Sequence, residues 1–203
     1  MFFYISVVSH PLAGDPARLI IIREMVRRYY YPDRIPDSVD SIPFDIEGYD
    51  LVRAESDDRD YIIGCMMETV VDSVPKEEKD LRDFWIDDIL QIVSDDIDSG
   101  KMGTEVFKLV SEEGYAGMLW VGISRDQFTC DETGYLLGVY VEKDLRRRGI
   151  GTALVRAAER WCSSKGLMSM TLNVGSVNRA AVGLYESMGY KSQSVVMRRF
   201  LKG

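Results

Sequence analysis

Arg146-Arg147-Arg148-Gly149-Ile150-Gly151 sits at a junction in the chain. Residues 135–141 before it are rich in β-branched and aromatic side chains and read as a strand. Residues 152–161 after it carry apolar side chains at helical spacing. A glycine-containing loop that opens a helix binds anions. The first N–H groups have no partner inside the helix, and the helix dipole favours negative charge. Glycine lets that backbone approach the ligand closely. Three adjacent arginines suit a diphosphate better than a single phosphate.

Spacing narrows the ligand. A dinucleotide fingerprint requires Gly-x-Gly-x-x-Gly, but the residue three after Gly151 is Leu154. A P-loop ends in Gly-Lys-Ser or Gly-Lys-Thr, and neither occurs in the chain. A basic triplet by itself fits a solvated surface or a weak nucleic-acid patch equally well.

Residues 167–190 decide between these readings. Residues 167–174 alternate as a strand, with Leu172 and Val174 on one face. Residues 175–190 then read as a helix. Ser176 is the expected N-cap, and Ala181, Leu184, Tyr185 and Met188 recur at helical spacing. Gly189 stands where a left-handed C-terminal cap belongs. The order is strand, anion loop, helix, strand, helix.

On these residues the chain resembles the GNAT superfamily of acetyl-CoA-dependent N-acetyltransferases. Residues 139–154 are similar to that family's Arg/Gln-x-x-Gly-x-Gly/Ala motif, with Arg146, Gly149 and Gly151 on the defining positions. Residues 178–190 are similar to its second motif, through Asn178, Ala181, Leu184, Tyr185, Gly189 and Tyr190. The resemblance implies a role for each position. Val139, Tyr140 and Val141 would offer backbone groups to pantetheine and polarise the thioester carbonyl. The amides of Arg146, Arg147, Arg148, Gly149, Ile150, Gly151 and Thr152 would hold the CoA pyrophosphate. Asn178 would contact the pantetheine side. Tyr185 would lie near the sulfur, within the cofactor site, and protonate the leaving thiolate.

The chemistry explains these demands. An amine attacks a thioester carbonyl, and negative charge grows on its oxygen. A preorganised N–H aimed at that oxygen is worth roughly 3 kcal/mol. A strand bulge can free such an N–H, and Gly138 is compatible with one. The leaving thiolate resembles Cys, with a pKa of about 8.5, and a phenol of pKa about 10 is a reasonable donor to it. Tyr185 is therefore the expected catalytic acid. The base is harder to read. Some members of the family carry a Glu where this chain has Asn173, which cannot accept a proton. Glu68, Asp72, Glu112, Glu113 and Glu142 remain as candidates. Glu68, Asp72 and Asn173 are the expected acceptor-side residues. Arg198 and Arg199 in the tail could hold a substrate carboxylate.

Composition bounds the rest. A chain of 203 residues with 46% hydrophobic content can bury one full core. A net charge of −8 argues against non-specific nucleic-acid binding and suits a cationic amine. Cys65, Cys130 and Cys162 have no metal-ligand spacing, and His10 is the only histidine, so no metal is expected. Reduced thiols fit a cytoplasmic protein. No apolar run is long enough to span a membrane, and residues 2–8 lack the basic flank of a signal peptide.

The fold expected is α/β (α+β): a mixed, mostly antiparallel central sheet flanked by helices. Strand 49–54 comes first. Helix 57–71 comes next, capped by Ser56 or Asp57, with Ile62, Ile63, Met66, Met67 and Val70 as its apolar stripe. A second helix over 76–93 turns Leu81, Phe84, Trp85, Ile89 and Ile92 inward. Strands 104–110 and 115–123 form a hairpin, and the tail over 191–201 adds edge strands. Residues 45–203 constitute the catalytic domain. Residues 1–44, with a strand near 2–8 and a helix over 17–31, form an extension that packs on the core or on a second subunit; a homodimer is the commonest assembly of this kind.

The leading expectation is acetyl transfer from acetyl-CoA to a primary amine of a small acceptor by direct attack in a ternary complex. A protein N-terminal or lysine acetyltransferase and an inactive acyl-CoA-sensing module are the alternatives.

Overall fold

The computed structural model describes residues 37–73, 103–126, 129–197 and 199. The expected strand at 2–8, the helices at 17–31 and 76–93, His10 and Arg198 lie outside them.

One sheet of six strands runs in the order β1 (Ser41–Ile42), β2 (Asp50–Arg53), β3 (Thr104–Ser111), β4 (Gly114–Arg125), β5 (Glu132–Val141) and β6 (Met170–Leu172). Every neighbouring pair is antiparallel except β5 and β6, which run parallel. The parallel pair needs a crossover, and helix α2 (Ile150–Ser164) supplies it. Helix α1 (Arg59–Ser73) covers one face of the sheet. Helix α2 and helix α3 (Arg179–Ser187) cover the other.

β4 is buried along nearly its whole length, as a central strand covered on both faces must be. On the α2 side, Leu119, Val121, Ile123, Leu136, Phe107 and Leu51 meet Leu154, Ala157, Ala158 and Trp161. The helical residues in that group recur at i, i+3, i+4 and i+7, and each large one contributes roughly 1.5–3 kcal/mol by leaving water. On the α1 side, Ile62, Cys65 and Met66 meet Val106, Met118, Trp120 and Tyr140.

Several sequence expectations shift. The stripe on α1 is Ile62, Cys65 and Met66, while Met67 is 36% exposed. A buried thiol packs as a small hydrophobe, so Cys65 takes the place expected of Met67. The first cap is Glu55, which forms a reciprocal capping box with Asp58 at the 3-10 turn Ser56–Asp58 ahead of α1. Asn178, not Ser176, caps α3: its side-chain oxygen accepts from the Ala181 N–H at 3.1 Å. β6 spans three residues rather than eight, and the described tail residues 191–197 form no strand. An edge three residues long offers few ladder bonds to a further strand, and Val195 and Met197 are 76% and 90% exposed.

Residues 37–46 wrap the end of α2. Ile42 is buried, and β1 extends the sheet beside β2. Val39 N–H donates to Glu105 Oε2 at 3.0 Å, while Trp161 Nε1 donates to Glu105 Oε1 at 3.1 Å. Lys165 Nζ lies 3.6 Å from Glu105 and donates to the Asp37 carbonyl. Arg160 bonds Asp45 at 2.8 Å and the Pro43 carbonyl at 2.6 Å. The buried Glu105 carboxylate thus joins three parts of the chain.

Candidate active site

The junction quoted from the sequence lies where the sheet opens. β5 and β6 pair only at Gly134, Tyr135 and Leu136 with Met170, Thr171 and Leu172. β5 then continues to Val141, and among the described residues no strand pairs with this edge beyond Leu136. A run of backbone donors and acceptors therefore borders a V-shaped cleft. An extended ligand with amide groups can add to such an edge as a strand would.

A bulge sits at the apex. Across β4, Trp120 faces Gly138 while Val121 faces Leu136, so Leu137 is the extra residue. Gly138 fits there for a steric reason. A Cβ on it would lie 2.7 Å from the Met118 methyl and 2.9 Å from the Met66 sulfur.

The other end of the cleft is the arginine loop. A 3-10 turn, Lys143–Leu145, leaves β5 and hands over to Arg146. Arg147 has φ 66° and Gly149 has φ 83°, both left-handed. That conformation costs a non-glycine residue roughly 1–2 kcal/mol, so its presence at Arg147 marks a built loop. Gly149 is the N-cap of α2 and supplies no side-chain bond to the first turn. The helix ladder begins with Ala153 N–H donating to the Gly149 carbonyl at 3.0 Å. The N–H groups of Ile150, Gly151 and Thr152 precede it and are available to an anion.

The three arginine side chains diverge. Arg147 and Arg148 are exposed. Arg146 turns back: its Nε donates to the Val141 carbonyl at 3.0 Å, and its guanidinium lies 5.4 Å from the Tyr140 ring centroid and 3.5 Å from Asp72. Lys143 pairs with Glu68 at 2.7 Å. Glu68 and Asp72 therefore face the cations of the anion loop, a different engagement from the acceptor ammonium expected for them. These exposed, solvent-screened pairs add little to stability.

The remaining candidates separate. Glu112 and Glu113 lie at the exposed turn between β3 and β4. Glu142 accepts from the Tyr61 hydroxyl at 3.0 Å and, more weakly, from Tyr140 at 3.4 Å. Burial, Cys65 and Glu142 together push the Tyr61 phenol well above its ordinary range. Asn173 stands just past the last β6 pair, and its amide donates to the Tyr135 hydroxyl at 2.6 Å, which straps the strands together where they part. Asn178 is committed to capping α3 through its oxygen. Tyr185 stands on α3, edge-on to Tyr190 with centroids 5.8 Å apart, and burial pushes its phenol up to about 12.

Sequence reading missed Tyr61, Met66 and Tyr135 as neighbours of the cleft. Tyr135 shares strand parity with Leu137, a signal available before the structure. Tyr61 and Met66 come from α1, more than 65 residues from β5, and no local pattern links them. Among the described residues no cluster of His, Cys, Asp and Glu is placed to hold a metal ion, and no helix is long and apolar enough to cross a membrane.

Comparison with known proteins identifies the family and the fold. Human N-acetyltransferase 8 is 32% identical over 81 residues, which are 40% of this chain and 36% of that protein. The ribosomal protein bS18-alanine N-acetyltransferase of Salmonella typhimurium is 27% identical over 43% of this chain and 55% of its own length. The matched stretches thus span about a third to a half of these curated relatives. Two solved structures share the fold: a GCN5-related N-acetyltransferase from Ralstonia eutropha (TM-score 0.58, 18% identity, 75% of this chain and 99% of that one) and aminoglycoside N-acetyltransferase AAC(6')-Iy in complex with CoA (TM-score 0.57, 16% identity, 76% and 95%). The sequence model of the Acetyltransferase (GNAT) family matches residues 20–190, across the cleft, the bulge and the arginine loop alike, and the chain belongs to that family.

Proposed function

We propose that the protein transfers an acetyl group from acetyl-CoA to a primary amine of a small acceptor in a ternary complex. The observation that carries this reading is the continuous path from the bulge at Leu137, along the open edge of β5, to the uncapped start of α2. Pantetheine amides pair with the Val139–Val141 backbone, and the pyrophosphate is held by the amides from Arg146 to Thr152. The thioester carbonyl meets an N–H freed at the bulge. The amine nitrogen forms the new C–N bond, the C–S bond breaks, Tyr185 gives its proton to the departing sulfur, and the proton that the new amide nitrogen sheds restores the phenol. The ammonium proton leaves the acceptor separately, since Asn173 at the apex is no base.

Acetyl-CoA is expected to raise the melting temperature, because a ligand that binds only the folded state stabilises it by mass action. A thiol-release assay against polyamines, amino acids, aminoglycosides and peptides then identifies the acceptor; peptides belong in the panel because of the ribosomal-protein relative. No thermal shift at millimolar acetyl-CoA would sink the cofactor assignment. A shift without thiol release from any acceptor would point to a sensor.

Arg146 offers a sharper test. Asp72→Asn removes the anion that competes for its guanidinium. CoA affinity by titration calorimetry should rise up to about fivefold, the limit for an exposed pair, and the gain should shrink at high salt. An unchanged or weaker affinity would mean that the Arg146 guanidinium is not a CoA contact.

A further inference from the structure

We infer that Met66 sets the length of acyl group the enzyme accepts, limiting it to two carbons. This rests on the acetyl-CoA reading above and adds the determinant of its acyl specificity.

The direction of the cofactor is set by the cleft. The pyrophosphate end is fixed at the start of α2, beyond Val141, so pantetheine runs back along β5 toward the bulge. The acyl carbons then reach the apex, where β5 and β6 close at Leu136 and Leu172. Two sides of the apex are closed. Ahead lie the paired strands, reinforced by the Asn173 and Tyr135 bond at 2.6 Å. On the α2 side lies the main core, with Leu136 buried and Leu172, Leu184 and Tyr185 packed on it. Extra carbons must therefore turn toward α1, over Gly138.

That space is occupied. The Met66 sulfur would be 2.9 Å from a Cβ on Gly138, and the Met118 methyl 2.7 Å. Glycine at 138 leaves room for these side chains and no more. Met118 is fully buried behind, whereas Met66 is 7% exposed and enters from α1. Leu137, partly buried, packs against the same cluster. An additional methylene at the apex has to displace packed atoms, and overpacking of this kind is destabilising. Met66 is the movable part, since a thioether chain with three rotatable bonds yields more readily than a strand.

The test measures affinity of the full chain for acetyl-, propionyl- and butyryl-CoA by calorimetry, which needs no acceptor. For the unmodified protein, butyryl-CoA should bind about tenfold more weakly than acetyl-CoA, the low end of the cost of forcing methylenes into a packed site. Met66→Ala should narrow that ratio at least about fivefold by opening the space over Gly138. Met67→Ala, one residue along and facing out of the core, should leave the ratio as it was. Met66→Val keeps more of the packing and should shift the ratio the same way by less, so the proposal stays testable if the alanine variant is unstable. Equal binding of acetyl- and butyryl-CoA to the unmodified protein overturns the inference. So does an unchanged ratio in both Met66 variants while acetyl-CoA still binds; the cofactor reading then survives. Failure of every acyl-CoA to bind the unmodified protein removes both.

Discussion

Trp161→Ala should lower stability by about 3–5 kcal/mol, the range for truncating a large buried aromatic. At roughly 2–4 °C per kcal/mol for a chain of this size, the melting temperature should fall by about 6–20 °C. Two effects combine. Trp161 is 2% exposed and fills the junction of α2 with β3 and β4, so its removal leaves a cavity. Its indole N–H also donates to Glu105 Oε1 at 3.1 Å, and Glu105 is only 4% exposed. The carboxylate would then depend on Lys165 at 3.6 Å and on the Val39 N–H. Trp161→Phe separates the two. It keeps most of the volume and drops the donor, so it should cost about 1–3 kcal/mol, the penalty for an unmet buried group. Denaturant unfolding of both variants decides the matter. A phenylalanine variant as stable as the parent would remove the hydrogen bond from the account and leave packing alone. Because Glu105 also holds Val39, faster amide exchange at residues 39–42 should accompany the loss.

Features legible in the sequence were those whose cause is local. The i, i+3, i+4 stripe from Leu154 to Trp161 belongs to one helix and survives any tertiary arrangement. Gly149 marked the loop that opens α2, though not its left-handed φ of 83°, and Gly189, with φ 93°, announced the exit from α3. Gly138 was compatible with a bulge, which a glycine inside a strand often marks. What could not be read depended on distant parts of the chain. Ser176 and Asn178 are both good caps, and nothing local separates them. In the fold, a Cβ on Gly175 would collide with the Ser73 carbonyl, so the loop ahead of α3 is pressed against the end of α1. That contact accompanies a later helix start, at Arg179. Glu68 and Asp72 looked like solvated or substrate-facing charges because their partners, Lys143 and Arg146, are more than 70 residues away. Met66 read as one stripe residue among several; its place over Gly138 exists only once α1 is laid on β5.

Tyr185→Phe should lower kcat by about 100-fold, the lower range for losing a general acid, with little change in KM for acetyl-CoA. The substitution removes one oxygen and leaves the ring, its edge-on contact with Tyr190 and the face of α3 as they are. The raised pKa bears on how the phenol works. Burial pushes it to about 12, whereas a thiol in water titrates at about 8.5. On those figures alone the transfer is uphill. The thiolate, however, forms in the same desolvated cleft, and burial raises its proton affinity in the same direction. In the proposed role, proton transfer therefore has to accompany C–S cleavage, when negative charge on sulfur is unsolvated. The raised value also fixes the sign of the pH effect. A phenol raised to about 12 stays protonated through the range in which the enzyme is assayed, so kcat should show no loss of acid function up to about pH 10. A profile falling between about pH 8 and 10 and absent from Tyr185→Phe would assign the phenol a lower working pKa. A variant whose kcat stays within about twofold of the parent would take the acid role from Tyr185 altogether.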